Sequence, residues 1–316
     1  MNSLPQPGPS RQGNYSLGRL ALATAYWLKP QRVRHFPGLV AGLVGDRLVP
    51  PAPVPDASRI RKSPPGFAGL ADDLTTPVVL QAMARGFYPQ GHWGAMKWWS
   101  PPERAVMDLA SVHIAKRFRR TMRGSDMQVA FDTDFAGVID GCAAPRDPSR
   151  PHLTWITPKA RALYMRLHGE GHAHSVEVFD AENNLVGGLF GVTIGPVFSA
   201  LSMFHTADNA SKFAIVSLYH HLADAGFTAV DHQIMSPWVQ ALGGTVLARV
   251  DYTALLARPA GSQAAPGRWS VKFSLADTAG WSPESAARSI RPRLPVARSV
   301  PDGSTPGGRA ALRYPR

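Results

Sequence analysis

The sequence is poor in cysteine and in acid. Cys142 is the one cysteine among 316 residues, which excludes an internal disulfide and any cysteine-cluster zinc site and fits a reducing compartment. Asp and Glu number 22 against 34 Lys and Arg, a formal net charge of +12 with a pI near 10.3. That balance points to an anionic partner or to basic tails, and only the placement of the charge decides between them. A long apolar run is missing too. The longest near the start, about Leu20 to Leu28, is too short to span a bilayer. Arg11 and Arg19 precede it, but no small-residue cleavage pattern follows closely. A cytoplasmic protein without a membrane partner is expected.

A chain of 316 residues can bury a sizeable core and hold one large or two modest domains. Residues 1–66 carry Pro-rich segments at Val49 to Pro55 and Ser63 to Pro65, and residues 259–316 are rich in Pro, Gly, Ser and Arg. Poorly ordered extensions are expected at both ends. Between them the reading divides the chain into a small basic domain, 67–130, and a larger domain, 131–258.

Asp73 to Pro77 caps a helix running to about Arg85. Trp98 and Trp99 lie in a loop, where they either stack a base or roof a core. Ser111 to Met122 reads as a helix with Val112, Ala115, Phe118 and Met122 on its apolar stripe. Lys116, Arg117, Arg119, Arg120 and Arg123 crowd the other side with no acid among them. Such a run is either a solvated face or a surface for phosphates. Phe131 to Cys142 reads as a further amphipathic segment, and Thr154 to Thr157 caps a helix ending near His168. His168, His172 and His174 follow closely, but the glycines between them mark a turn and no carboxylate set joins them, so no metal site is expected.

The most informative stretch is Leu185 to Gln233. Leu185 to Ile194 is an apolar strand threaded by Gly187, Gly188 and Gly191, residues that admit another backbone closely. Gly195-Pro196 turns the chain into a second strand, Val197 to Phe204. Simple alternation puts Phe198, Ala200, Ser202 and Phe204 on one face and Val197, Ser199, Leu201 and Met203 on the other. Asn209 or Ser211 caps a helix with Ile215, Leu218 and Leu222 as its stripe, and Gly226 ends it. A short strand then delivers Asp231, His232 and Gln233 to its C-terminal end, where open α/β sheets commonly place chemistry. The fold class expected is α/β (α+β).

Seven collinear motifs carry a resemblance: Trp98-Trp-Ser-Pro, Thr154-Trp-Ile-Thr, Leu167-His-x-x-Gly-His-Ala-His-Ser175, Leu185-Val-Gly-Gly-Leu-Phe-Gly-Val192, Ser202-Met-Phe204, Asn209-Ala-Ser-Lys212 and Asp231-x-Gln233. Over about Phe67 to Leu256 the chain resembles the bacterial leucyl/phenylalanyl-tRNA-protein transferases. The resemblance implies a small N-terminal domain plus an acetyltransferase-like (GNAT-type) mixed-sheet domain. It implies transfer of leucine or phenylalanine from aminoacyl-tRNA to the N-terminal Arg or Lys of an acceptor protein, marking that protein for degradation. Neither coenzyme A nor metal takes part, and a monomer is expected. By position, Asp231 would orient or deprotonate the amine, with Gln233 in the same network. Leu189, Phe198, Met203 and Ile215 would line the aminoacyl pocket, and Trp155 would pack on the terminal adenosine. The basic residues from Lys116 to Arg123 would then meet tRNA.

Departures from the family pattern fall at the same places. Leu201 stands where the family has a glutamate thought to receive the basic acceptor, and Gln90 stands for a tryptophan. His232 replaces a cysteine, and Ser236 and Trp238 replace an asparagine and a histidine. They leave room for a different acceptor, with His232 or His205 in proton transfer, or for lost catalysis. Two rival readings remain: a catalytically silent tRNA-binding or adaptor protein, and an acyl-coenzyme-A-dependent N-acetyltransferase. Asp208 at the helix start, where phosphates would sit, weighs against the latter.

Overall fold

The computed structural model describes residues 17–91, 94–145, 149, 152–259, 266–270 and 273–283. Helices α1 (Leu17–Trp27) and α2 (Phe36–Leu48) precede a small antiparallel sheet of β1 (Phe67–Leu70), β2 (Tyr88–Gln90) and β3 (Lys97–Trp99), with α3 (Thr76–Ala84) between β1 and β2. Next come β4 (Glu103–Asp108), α4 (Lys116–Arg123), β5 (Gln128–Phe131), α5 (Phe135–Ala143), α6 (Pro158–Gly169), β6 (Ala173–Phe179), β7 (Leu185–Ile194) and β8 (Val197–His205). The chain continues through α7 (Ala210–Asp224), β9 (Ala229–Gln233), α8 (Pro237–Ala241), β10 (Thr245–Ala248), α9 (Arg249–Leu256) and α10 (Leu275–Gly280). Strands β4 to β10 form one mixed sheet of seven, ordered β10-β4-β9-β8-β7-β6-β5. Within it β8 and β9 run parallel, joined by α7. The α/β class read from the sequence is the class observed.

Local chemistry sets the helix ends. Thr157 caps α6 through Ala160 N at 3.1 Å, with Pro158 supplying a first turn that needs no amide. Asp134 caps α5 through Gly137 N at 2.8 Å. Gly226 closes α7 with φ +88°, as the left-handed exit from a helix requires. Asn209 stands at the start of α7 in a left-handed conformation, without a side-chain cap bond. Gly187 lets α7 sit against β7, since a Cβ there would lie 2.6 Å from that of Ala210.

Apolar side chains cover both faces of the large sheet. Phe190 and Val106 pack with α5, α6 and α9 on one side, and Leu189, Phe198 and Val230 pack with α7 on the other. The divisions expected from sequence are crossed at three places. Residues 17–66 carry two packed helices: Trp27 stacks on Trp99 at 6.5 Å, and Asp46 pairs with Arg59 and accepts from Leu70 N at 2.8 Å. Proline density marks the connection after α2 but is silent about the apolar helices before it. Strands β4 and β5, assigned to a small domain at 67–130, belong to the large sheet. From the region beyond 259, Trp269 and α10 fold back onto the body, while the final stretch to Arg316 lies outside the described residues. The helix expected from Ser111 starts only at Lys116, and Phe131 to Cys142 splits into the end of β5 and α5 around Asp132, whose φ is +55°.

Candidate functional site

Asp231 reaches its position because β9 carries a bulge. Val106 of β4 faces Asp231 and Ala105 faces Gln233, which leaves His232 as the extra residue. Gln233 adopts φ +61°, a conformation costing about 1–2 kcal/mol for a residue with a side chain. The fold-back returns Gln233 N to Asp231 Oδ1 at 2.8 Å.

The Asp231 carboxylate is fully buried and saturated. Arg104 donates from Nε to Oδ1 at 3.1 Å and from Nη2 to Oδ2. Ser199 Oγ donates to Oδ2 at 3.0 Å and Tyr252 OH at 2.9 Å. Burial by itself would lift this carboxyl, but the Arg104 guanidinium and the surrounding donors hold it below the ordinary range. Tyr252 is pushed up, by burial first and then by the neighbouring carboxylate. An anion held this way is a fixed, buried charge. The sequence reading names Asp231 and Gln233 but not Arg104, Ser199 and Tyr252, which surround the carboxylate. The alternation of β8 does carry a signal for Ser199: a polar residue between apolar neighbours, aligned with Asp231 across a parallel pair.

Pairing between β8 and β9 stops at Ser199 and Asp231. Past that pair β8 runs on to His205 with no β9 partner. Here β8 has its own bulge: Gly191 faces Ala200 while Phe190 faces Ser202, so Leu201 is the extra residue. One added residue shifts the side-chain phase by one. The uniform alternation expected for this strand is therefore wrong beyond Ala200. Phe198 and Ala200 face α7, Ser202 and Phe204 face the other side, and Met203 returns to the α7 face opposite Leu189.

The expected site residues consequently lie on two faces. Leu189 and Phe198 of the sheet and Ile215 of α7 are fully buried where the helix packs, and Met203 on the same face is 37% exposed at the unpaired end of β8. Asp231, with Arg104 and Ser199, occupies the opposite face, where Leu201 is half-buried. Trp155 is on that side too, stacked on Phe190 at 6.3 Å and edge-on to Tyr164 at 5.9 Å. Gln233 sits at the strand end between them.

His232 points away from Asp231. Tyr219 OH lies 2.6 Å from its Nε2, and burial pulls the imidazole down to about 4, with Asp231 partly opposing. The ring is neutral at neutral pH and belongs to the α7 packing, so proton transfer at Asp231 is not open to it. Since its folded value lies below the ordinary 6.5, the stability it contributes is intact above about 6.5 and is lost as pH falls towards about 4. His232→Leu is expected to flatten the Tm–pH curve across that window. Parallel curves for the two proteins would contradict the assignment.

The other departures are also placed. Gln90 is buried in β2 opposite Lys97. Ser236 caps α8 through Val239 N at 3.2 Å. Trp238 packs edge-on against Phe118 at 5.1 Å beneath the ammonium of Lys212, also at 5.1 Å. His205 Nδ1 meets Ser211 Oγ at 3.2 Å.

On α4 the five cations divide. Lys116, Arg117, Arg120 and Arg123 are exposed, and Arg119 is half-buried. Arg119 donates to Ile114 O at 3.1 Å and Ala279 O at 2.8 Å, and Arg123 reaches Ala279 O at 3.3 Å. Burial, and then the charge of Arg123, lower the pKa of Arg119.

Comparison with known proteins adds the following. A family model described as leucyl/phenylalanyl-tRNA protein transferase matches residues 106–257. A protein of Shewanella baltica named leucyl/phenylalanyl-tRNA--protein transferase is 36% identical over 213 residues, 66% of this chain and 87% of the relative. Relatives of the same name from Aromatoleum aromaticum and Pseudomonas putida are 39% and 40% identical, covering 69% and 65% of this chain and 91% and 89% of their own. Among solved structures, L-PGS from Bacillus licheniformis overlaps 46% of this chain and 45% of its own at 11% identity with a TM-score of 0.31, too partial to bear on fold or function.

Proposed function

This chain belongs to the leucyl/phenylalanyl-tRNA protein transferase family, and on that premise we infer that it moves an aminoacyl group from charged tRNA to the N-terminus of an acceptor protein. The acceptor's amine attacks the ester carbonyl, an amide bond forms, the ester bond to the terminal adenosine breaks, and the released ribose oxygen takes up the proton. The ester is already activated, so the protein needs to hold an amine against it and steady the oxyanion. The observation that carries the siting of this chemistry is the saturated Asp231 at the point where β8 loses its β9 partner. Asp231 fixes Gln233 through the backbone bond at 2.8 Å, and the Gln233 carboxamide orients the amine. Met203, exposed at the unpaired edge of β8, meets the aminoacyl side chain, with Leu189 opposite it on β7 and Phe198 and Ile215 packed behind. Family membership lends no support to the silent-binder or coenzyme-A alternatives. Charged tRNA is a cytoplasmic substrate, and we place the protein there, as a monomer.

A carboxylate held in its charged form by Arg104 leaves the α-amine to lose its own proton. Transfer is expected to rise with pH through the amine's value of about 8. A limb at about 4, where an unperturbed aspartate titrates, would contradict an orienting Asp231.

We propose that Lys116, Arg117 and Arg120, exposed along α4, meet tRNA phosphates. Replacing all three with alanine is expected to weaken tRNA binding and to shallow the slope of log Kd on log salt by about 2–3. The test of the function itself is transfer of labelled leucine or phenylalanine from tRNA to a peptide collected on a filter. Hydrolysis without peptide labelling would overturn it.

A further inference from the structure

Helix α2 is apolar on both of its faces. On the inner one Leu39 and Gly42 are buried, and a Cβ on Gly42 would lie 2.5 Å from the Phe67 ring. The one acid of α2, Asp46, also turns inward, held by Arg59 and by Leu70 N at 2.8 Å. The outer face carries Pro37, Ala41, Val44 and Leu48, spaced by four, three and four residues and all exposed. Val33, in the single turn of 3-10 helix that leads into α2, and Val49, just after it, extend the row. Leu48 and Val49 are 77% and 74% exposed. Single apolar residues at a surface are ordinary, whereas a helix apolar all round is normally covered on every side.

Cations stand at both ends of the row, Arg34 beside Val33 and Arg47 beside Leu48. With Lys29, Arg61 and Lys62 they make five exposed cations in residues 17–66, against Asp56 as the one exposed acid. We propose that the outer face of α2 docks on bilayers with anionic headgroups, its apolar row entering the acyl boundary and its arginines meeting the headgroups. A second copy of the chain would bring the same cations across a two-fold axis, where like charges repel. RNA would pair the arginines but leave the apolar row bare. No described helix is long and apolar enough to cross a membrane. That excludes spanning, and with it the kind of membrane partner that a long apolar run would signal, but a 13-residue helix can lie in the interface. The proposal is independent of the transferase reading.

The test is cosedimentation of the full chain with vesicles of phosphatidylcholine alone and of phosphatidylcholine mixed with phosphatidylglycerol, across salt. Wild type is expected to bind the mixed vesicles at least about tenfold more tightly than the neutral ones. Val44→Gln with Leu48→Gln should weaken binding at least about tenfold at every salt concentration. Arg34→Gln with Arg47→Gln should weaken it by a similar factor at low salt and flatten its salt dependence. Thermal melting and transfer to peptide in solution are expected to match wild type in both variants, because the changed side chains face solvent. Absence of binding to the mixed vesicles, or binding that neither variant lowers, would overturn the proposal. So would a concentration-dependent dimer, seen by sedimentation, that Val44→Gln with Leu48→Gln abolishes, since the row would then belong to a second copy.

Discussion

Arg104→Met is expected to destabilise the protein by about 3–5 kcal/mol and to abolish transfer. Arg104 and Asp231 are 3% and 0% exposed, so removing the guanidinium strands a charge that water cannot reach. The carboxylate would keep only Ser199, Tyr252 and Gln233 N as donors, too few to offset its burial. Replacing both partners behaves differently, because a buried ion pair exchanged for neutral groups of similar shape is often near neutral for stability. The double variant Arg104→Met, Asp231→Asn is thus expected to regain most of the lost stability. Transfer should stay low, because the fixed anion that sets Gln233 is gone. Thermal unfolding and transfer measured on the single and double variants separate the two roles. Activity returning together with stability would mean that the pair only holds the fold.

The second large effect is expected at Leu201. It sits in the β8 bulge on the Asp231 face, and Asp231 itself is fully engaged by Arg104. A cationic acceptor residue arriving there would find no carboxylate to replace its water. A charge-assisted hydrogen bond contributes about 1.5–3 kcal/mol, roughly ten- to a hundredfold in affinity. Leu201→Glu is therefore expected to raise kcat/KM for Arg- and Lys-starting peptides by about that factor over peptides starting with an uncharged residue. An unchanged preference would place the acceptor elsewhere.

Much of this architecture was legible in the sequence. The hairpin of β7 and β8, the crossover helix α7 and the strand end bearing Asp231 all follow from alternation, a Gly-Pro turn and a 3.6-residue stripe. What escaped were features that a single inserted residue creates. The bulge at Leu201 reverses the faces of Ser202 to Phe204, and the bulge at His232 sets Gln233 opposite Ala105 with φ +61°. Neither leaves a mark in hydropathy, since both bulged strands remain plausible without them. Arg104 was hidden for another reason: a cation in a short strand reads as solvated until its partner, 127 residues away, is known. The helices before Pro50 were obscured by neighbouring prolines, and α10 by the Pro, Gly and Arg content around it.

The most direct test is single-turnover transfer of labelled leucine from leucyl-tRNA to peptides differing in their first residue, with wild type and Asp231→Asn side by side. The wild type is predicted to label peptide, with rates rising through the amine's own titration, and Asp231→Asn to lose most of that rate while still binding tRNA. Labelling by the two proteins at equal rates would contradict the account.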